Sequence, residues 1–316
     1  MPPVRALRLP AWGSTPELAD APEPEAAPGS SLVRVGAAAL NPADLAIAAG
    51  RFYLPIPEPP FTPGAEAVGE VVSSAAHPAG TRVWCLAMVG SLAELVVVPD
   101  DRMVPVPEGL PDELAVAIGV AGLAGWMPVR DRGGLEPGET VVVLAASGVV
   151  GQVAIQASRG IADRIVAVAR SADGRDRALA LGADVALATG PGLADALRLA
   201  CGDGADLVVD PLWGDAALAA LGALRHGGRL VQVGNAQAPT AEVPAGPLRG
   251  GRLDIRGFSV FSEEPGARAR AYAALADAAR AGDVRLSLSV LSLDDCPAAW
   301  KLLASGAGGA KLVVRV

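Results

Sequence analysis

The stretch from Thr140 to Phe258 alternates short runs of β-branched residues with runs rich in Ala and Leu, and this alternation restricts the possible folds. Strands that alternate with helices form βαβ units, whose strands are parallel and covered by helices. The pattern therefore predicts a doubly wound α/β domain. Its predicted strands span 140–145, 164–169, 184–188, 206–210, 229–234 and 252–258, and its predicted helices span 149–160, 174–182, 192–202 and 214–228.

The turn after the first predicted strand nearly matches a dinucleotide-binding fingerprint. Gly148 and Gly151 occupy the last two glycine positions of G-x-G-x-x-G, and Ala146 occupies the first. These glycines allow the backbone to approach a pyrophosphate and the helix to pack closely, and the helix beginning near Val149 directs its N–H groups at the phosphates. Ala146 is compatible with this role if its φ stays negative. The context favours a dinucleotide site over a bare β–α turn.

The end of the second predicted strand indicates which dinucleotide is bound. NAD sites place Asp or Glu about 20 residues beyond the glycines, where the carboxylate binds the ribose 2′-OH. Here Ala169, Arg170 and Ser171 stand at that position, and none is acidic. A guanidinium suits a 2′-phosphate. We therefore expect NADPH as the cofactor; the alternative is that Arg170 is a solvated surface residue.

The first 120 residues have a different pattern, with many Pro and Gly residues and short strands at 31–40 and 66–72. This pattern predicts a β-rich domain. Near the C-terminus, a helix is predicted at 266–282 and a strand at 310–316 that returns to the first domain. The expected domains are 1–121, 122–260 and a C-terminal segment, 261–316.

Composition excludes several classes of function. A net charge of -8 and a pI near 4.9 disfavour a nucleic-acid partner. Without an apolar run of about 18 residues or a signal-peptide pattern, we expect a cytoplasmic protein with no membrane partner. The odd number of widely spaced cysteines predicts buried thiols rather than disulfides. With only His77 and His226, and no C-x-x-C, we expect no metal site; His226 is predicted to cap a helix in H-G-G.

Ordered motifs along almost the whole chain resemble those of zinc-free quinone oxidoreductases, the zeta-crystallin-like group of medium-chain dehydrogenases/reductases. The resemblance implies a GroES-like catalytic domain, a Rossmann domain, a cofactor in the cleft and a homodimer formed through the edge strand of the cofactor domain. The zinc enzymes' ligands are replaced at Asn41, Ala65 and near Val120. The motifs are LNPADLAIAAGRFY (40–53), PFTPGAEAVGEVV (60–72), GTRVW (80–84), GSLAELVVVPDDRMVPVPEGL (90–110), the AASGVVGQVAIQ turn, LRHGGRLVQVG (224–234) and LRGGRLDIRGFSVF (248–261).

The fingerprint and the resemblance together define the expected site. Phe258 and Val260 are expected at the nicotinamide face, although apolar packing alone would explain them. The full set of expected cofactor contacts is Asn41, Ser147, Gly148, Val149, Val150, Gly151, Arg170, Ser171, Gly234, Asn235, Phe258 and Val260.

Asn41 and Tyr53 are the catalytic candidates. Asn41 either holds the nicotinamide ribose or the acceptor oxygen, or is a turn residue before Pro42. Asp44 is expected to fix the local backbone or a helix start. Tyr53 lies one residue late relative to the G-x-Y proton donor of similar enoyl reductases, and packing is its alternative role.

These observations predict an NADPH-dependent enzyme that transfers hydride to a quinone or an α,β-unsaturated carbonyl without zinc. Two alternatives stay open: an enoyl reductase acting on a biosynthetic enone or thioester, and an NADPH-binding protein with little turnover.

Overall fold

A computed structural model describes residues 3–316, and the chain forms two compact units. The first unit comprises the residues up to Ala121 together with Glu264–Gly282 and Leu286–Val316. The second comprises Gly122–Glu263 and Asp283–Arg285. The C-terminal part of the chain thus belongs mainly to the first unit.

The strands and helices have the following bounds, each set in chain order. The strands are β1 (Val4–Arg8), β2 (Glu17–Ala21), β3 (Ser30–Ala39), β4 (Glu66–Ser73), β5 (Arg82–Leu86), β6 (Leu95–Pro99), β7 (Met103–Pro105), β8 (Thr140–Val143), β9 (Arg164–Ala169), β10 (Val185–Ala188), β11 (Ala205–Asp210), β12 (Leu224–Gln232), β13 (Asp254–Gly257), β14 (Leu288–Ser292) and β15 (Lys311–Arg315). The α-helices are α1 (Pro42–Ala48), α2 (Asp112–Ala117), α3 (Leu123–Arg130), α4 (Val149–Ser158), α5 (Ala172–Ala180), α6 (Leu193–Cys201), α7 (Gly214–Leu221), α8 (Ala245–Gly250), α9 (Pro265–Ala281) and α10 (Cys296–Ser305).

The first unit contains the predicted β-rich domain. Its main sheet has the order β14-β15-β3-β4-β5-β7, and β6 also pairs with β3. All of these pairs are antiparallel except β14 with β15. The C-terminal strand β15 pairs directly with β3, with Val313 opposite Ala39. The prediction of a C-terminal strand that returns to the first domain is therefore confirmed.

The second unit contains the predicted doubly wound sheet. Its six strands have the order β10-β9-β8-β11-β12-β13, and every neighbouring pair is parallel. Strands β9 and β10 follow β8 on one side of the sheet, and β11, β12 and β13 follow it on the other side. In such sheets ligands bind outside the carboxyl ends of the strands where the order reverses. Here that point lies between β8 and β11.

The predicted helix at 214–228 is wrong over nearly half of its length, residues 222–228. Helix α7 ends at Leu221, and β12 begins at Leu224, which pairs with Ala205 of β11. The Ala- and Leu-rich pattern continues past Leu221, but pairing with the buried strand β11 draws the following residues into the sheet. His226 consequently lies in a strand and is exposed, so it does not cap a helix.

The helical stretch Asp112–Arg130 is, by length and composition, apolar enough to cross a membrane. It comprises α2, a π-helical turn at Ile118–Gly122 and α3, and Gly119 within the turn is not helical. Of its most apolar window, 83% is buried inside the protein, as is usual for a core helix. The sequence predicted no apolar run of about 18 residues, because its pattern did not indicate that the helix continues through the turn. The three cysteines are free and buried, which confirms the prediction for them.

Candidate functional site

The glycine turn connects β8 to α4 at the carboxyl edge of the parallel sheet. Gly148 is the N-cap of α4, with φ -79° and ψ 163°. Ala146 is not among the residues with positive φ, as the fingerprint requires of a non-glycine residue there, whereas Ala145 has a φ of 49°. The N–H groups in the first turn of α4 have no acceptor within the helix. They are therefore suited to bind an anion beside the turn.

The two fingerprint glycines differ in what a side chain would meet. A Cβ on Gly151 would stand 2.5 Å from the carbonyl oxygen of Ala145 and 2.6 Å from Cα of Ala146, both backbone atoms. Gly151 is thus required for the close packing of α4 against the turn. A Cβ on Gly148 would meet only the Ala145 oxygen, at 3.4 Å, and its φ suits any residue. The contacts within the protein do not require glycine at 148. A glycine here is instead explained if a ligand must approach the backbone closely at this position.

The start of α5 lies against the same turn. Ser171 is the N-cap of α5, and its hydroxyl accepts a hydrogen bond from the Gly174 N–H at 3.1 Å. A Cβ on Gly174 would stand 2.8 Å from Cβ of Ser147. The predicted contact residues Ser147 and Ser171 are therefore brought together, with the first turns of two helices meeting at one edge of the sheet.

Two arginines mark the carboxyl end of β9. Arg170 is exposed. Exposure is compatible both with a cation that binds a ligand and with a residue that contacts only solvent. Arg175, on α5, is half-buried, and its Nη1 donates to the carbonyl oxygens of Arg170 at 3.1 Å and Ala169 at 3.5 Å. Arg175 was not predicted from the sequence, because its position inside α5 gives no indication that its side chain turns back to the strand end.

An acidic turn follows β11, next to the point where the strand order reverses. Asp210 is 0% exposed, and its Oδ1 accepts hydrogen bonds from the N–H groups of Leu212 at 2.8 Å and Trp213 at 2.9 Å. Its Oδ2 has no partner within the described residues. Burial raises the pKa of the Asp210 carboxyl to about 6, against the lowering effect of the two N–H groups. The main-chain oxygen of Asp210 also accepts from Val233 and Gly234, which ties this turn to the end of β12.

Strained backbone flanks the same reversal point on both sides. Trp213 has φ 58° and ψ -171°, and Ala145 has φ 49°, although both carry side chains. They follow β11 and β8, the two strands between which the order reverses. Such conformations cost on the order of 1–3 kcal/mol each and cluster at functional sites. The strain is a second indication, independent of the glycines, that this edge of the sheet is functional.

The remaining predicted cofactor contacts differ in exposure. Gly234, Val149 and Val150 are half-buried near the carboxyl edge, and Asn235 is exposed beside Gly234. Phe258 is 6% exposed and Val260 is 2% exposed. The burial of these last two side chains favours the packing role that the sequence left open for them.

Asn41 belongs to a buried polar cluster of the first unit and is 2% exposed. Its side-chain amide donates to Oε1 of Glu66 at 2.8 Å and to the carbonyl oxygen of Ala39 at 3.3 Å. Its Oδ1 accepts from Nζ of Lys311 at 2.5 Å. Both amide hydrogens have acceptors inside the chain, which favours a local structural role for Asn41 over contact with a ribose or an acceptor oxygen. Asn41 instead precedes α1 as its N-cap.

Glu66 and Lys311 form the centre of this cluster, and neither was predicted from the sequence as a site residue. Oε2 of Glu66 accepts from the Trp84 indole N–H at 2.9 Å and the Val120 main-chain N–H at 2.7 Å. Nζ of Lys311 also donates to the carbonyl oxygen of Leu40 at 3.1 Å and lies 3.4 Å from Oε1 of Glu66. Burial lowers the pKa of the Lys311 ammonium, while Glu66 opposes that change. The one sequence feature that could have indicated a special role for Lys311 is that the chain has only two lysines.

Asp44 performs the role predicted for it. One carboxyl oxygen accepts a hydrogen bond from the Asn41 main-chain N–H at 2.7 Å, which holds the start of α1. The side chain is 1% exposed, and burial raises the pKa of the carboxyl to about 7. Asp44 therefore acts on the local backbone.

Tyr53 lies at the surface of the first unit and is 63% exposed. Its ring packs against Phe52 with a centroid distance of 4.5 Å. Phe52 also lines a half-open groove of about 370 Å³ together with Trp12, Ala49, Gly50, Leu54, Ile56 and Glu58. Tyr272, the other tyrosine, is 0% exposed and donates to the carbonyl oxygen of Ala115, so Tyr53 is the accessible phenol.

The positions that correspond to zinc ligands in similar enzymes hold no ligand set. Ala65 is buried, Val120 is 6% exposed and Asn41 is engaged as described. Within residues 3–316, no group of three or more His, Cys, Asp or Glu side chains is arranged to hold a metal ion. In this region the side chains of Asn41, Glu66 and Lys311 instead contact one another.

Comparison with known proteins identifies the family. The alcohol dehydrogenase GroES-like domain model matches residues 27–108, and the zinc-binding dehydrogenase model matches residues 149–278. A quinone oxidoreductase from Thermus thermophilus, solved alone and with NADPH, is 35% identical, with a TM-score of 0.81 and coverage of 99% of this chain and 100% of that one. The chain belongs to the medium-chain dehydrogenase/reductase family. Within it, the chain is of the quinone oxidoreductase type, as its motifs predicted.

Two curated relatives are also similar to this member of the family. Prostaglandin reductase-3 of Bos taurus is 32% identical over 75% of this chain, and the match spans 63% of that protein, less than two thirds of its length. The spectinabilin polyketide synthase system protein NorB of Streptomyces orinoci is 32% identical over 99% of this chain and 15% of its own length.

Proposed function

We propose that this protein is an NADPH-dependent oxidoreductase that reduces a quinone or an α,β-unsaturated carbonyl without zinc. The observation that carries the proposal is the turn at Gly148, where the fold leaves room for a ligand against the backbone and the N–H groups of α4 point outward. Bound NADPH would supply the hydride. Family membership supports an oxidoreductase reaction, and the complex of the Thermus thermophilus relative with NADPH supports that cofactor.

The residues of the second unit would bind and orient the cofactor. The first turn of α4 would bind the pyrophosphate, and Arg170 with Ser171 would bind the 2′-phosphate. The turn after β11 would position the cofactor near the point where the strand order reverses. The hydrogen bonds to Asp210 hold this turn in place. No general acid is required of the protein, since reduction of a quinone or enal leaves an oxyanion or enolate that water can protonate.

The polar cluster of the first unit supports the zinc-free part of the proposal. An ammonium group, Lys311 Nζ, lies beside Asn41 and Glu66 where a divalent cation would need deprotonated ligands. A second cation there would be repelled, and Asn41 and Ala65 supply no thiolate or imidazole. The purified protein is expected to contain no stoichiometric zinc and to keep its activity in chelator. Elemental analysis that finds about one zinc per chain would contradict this.

The likeness to NorB favours a second candidate, a reductase acting on a biosynthetic enone or thioester, because nearly the whole of this chain matches one segment of that protein. A third candidate is an NADPH-binding protein with little turnover. A stopped-flow screen of NADPH oxidation against quinones, enals and enoyl thioesters separates the three. Fastest turnover with quinones or enals would support the proposal, fastest turnover with thioesters would replace it by the second candidate, and no turnover above the uncatalysed rate would favour the third.

We also propose a homodimer formed through β13. This strand is at one end of the six-stranded sheet, and Ile255 on it is 37% exposed. An edge strand offers unpaired main-chain groups to a second copy.

A further inference from the structure

We propose that Arg175 is a second cation of the 2′-phosphate site and that it acts with Arg170 to select NADPH over NADH. This inference rests on the proposed function, because it requires that the glycine turn bind a dinucleotide. It assigns part of the selection to a residue five positions beyond Arg170, the residue from which the sequence predicts NADPH.

The Arg175 guanidinium lies at the end of β9. Its Nη1 donates to the main-chain oxygen of Arg170 at 3.1 Å and lies 3.5 Å from that of Ala169. Ala169 is the last residue of β9, and the end of this second strand is where a dinucleotide fold places the ribose 2′ position. The side chain therefore turns back along the first turn of α5 to the place where the 2′-phosphate would bind.

The charge of Arg175 also favours binding of an anion. Neither Arg170 nor Arg175 has a carboxylate within 4.0 Å among the described residues, whereas Arg229, which is buried, forms an ion pair with Glu139. Arg175 is itself half-buried, and a partly buried cation without an anionic partner is unfavourable. A guanidinium has five N–H donors, so the bonds of Nη1 leave Nε and Nη2 to bind phosphate oxygens. An arriving phosphate would supply the missing anion.

Arg175 is better preorganised for binding than Arg170. Arg170 is exposed, so binding through it must order a long and flexible side chain, which opposes affinity. The Arg175 guanidinium is already held by the strand-end carbonyl oxygens, so less freedom is lost when it binds. The Ser171 hydroxyl accepts from Gly174 N–H and keeps its own hydrogen for a phosphate oxygen. We therefore expect Arg175 to contribute at least as much to 2′-phosphate affinity as Arg170.

The test measures binding without turnover. Adenosine 2′,5′-bisphosphate and adenosine 5′-monophosphate differ only by the 2′-phosphate, and each is titrated calorimetrically into the full chain. The variants are Arg170→Gln, Arg175→Gln and Arg175→Lys, with Arg177→Gln as the matched control, since it removes the same charge from the same helix two residues further on. Circular dichroism and thermal melting verify that each variant is folded.

The wild type is expected to prefer the bisphosphate by roughly 10- to 150-fold, the range for charge-assisted hydrogen bonds. Arg175→Gln should reduce that preference by about tenfold and leave affinity for the monophosphate within about twofold. Arg175→Lys keeps the charge, but an ammonium group is less able to contact two carbonyl groups at once. Its preference for the bisphosphate should lie between those of the wild type and Arg175→Gln. Arg177→Gln should retain the wild-type preference.

The proposal is overturned if Arg175→Gln keeps the full preference, or if Arg177→Gln reduces it as much. A wild type that binds both nucleotides equally would refute NADPH selection while leaving a dinucleotide site in place. A wild type that binds neither would refute the proposed cofactor itself, and the inference with it. These outcomes separate a failure of Arg175 from a failure of the proposed function.

Discussion

Replacing the two fingerprint glycines should have different effects on stability and the same effect on cofactor binding. Gly148→Ser adds a side chain at an N-cap whose φ is -79°, where the nearest atom to a Cβ is 3.4 Å away. Serine is a better N-cap than glycine by a few tenths of a kcal/mol, so the free energy of unfolding should stay equal or rise slightly. Gly151→Ala, in contrast, places Cβ 2.5 Å from the Ala145 oxygen.

The magnitude for Gly151→Ala follows from that contact. Carbon atoms pack at about 3.5–4.0 Å, so α4 and the turn must separate by on the order of 1 Å. Both atoms that Cβ would meet belong to the backbone, so no side-chain rotation relieves the contact. Overpacking of this kind costs about 1–3 kcal/mol of folding stability, and somewhat more if the strained turn at Ala145 cannot adjust.

Both substitutions should weaken NADPH binding. In Gly148→Ser the introduced side chain would occupy space against the backbone that the pyrophosphate needs, and its hydroxyl would compete for the N–H groups of α4. Loss of a charge-assisted contact costs about 1.5–3 kcal/mol, or roughly 10- to 150-fold in affinity. Thermal melting and calorimetric titration with NADPH measure the two effects separately. Unchanged NADPH affinity in Gly148→Ser would refute the argument that glycine at 148 serves a ligand.

Four further outcomes follow from the structure. Tyr53→Phe should lower turnover by less than about tenfold, since the phenol is exposed and the reaction needs no strong acid; steady-state kinetics showing a loss of about 100-fold would instead establish a proton donor. Lys311→Met should destabilise the fold by about 3–5 kcal/mol because Glu66 keeps a buried charge, and adding Glu66→Gln should recover part of that loss in denaturant unfolding. Asp210→Asn should flatten the pH dependence of stability. Burial raises the pKa of the Asp210 carboxyl to about 6, so the folded state holds the proton more tightly than the unfolded state, and the contribution of this carboxyl to the free energy of unfolding falls as pH rises from about 4 to about 6. The stability of the variant relative to the parent should therefore rise by on the order of 1–3 kcal/mol over that window, and an unchanged difference between the two would show that Asp210 does not titrate there. Ile255→Lys should shift the mass measured by light scattering from dimer to monomer, and a variant that stays dimeric would place the interface elsewhere.

The sequence alone was sufficient for the doubly wound sheet. The six strands and their helices are local patterns, since a β-branched run or an Ala-rich run can be recognised without knowing its neighbours. The glycine turn was predicted for the same reason, because Gly148 and Gly151 lie between a strand and a helix within a few residues of each other. The family resemblance extended this to the β-rich unit, whose short strands have weaker patterns.

Only the tertiary structure decided which side chains act together. Glu66 and Lys311 are 245 residues apart and meet because β15 pairs with β3, which in turn pairs with β4. That contact gives Asn41 its side-chain partners and favours the structural role among those that the sequence left open for it. The direction of the Arg175 side chain toward the end of β9 depends likewise on how α5 packs.

The C-terminal end of α7 shows that the sequence pattern is insufficient even within a single element. Helix periodicity continues beyond Leu221, so the sequence predicted one long helix, but Leu224 pairs with Ala205 in the sheet. Periodic patterns record which residues prefer burial, and they fix local structure where one conformation satisfies that preference. Where helix and strand would both bury the same residues, hydrogen bonding to a distant strand decides between them, and that information exists only in the folded chain.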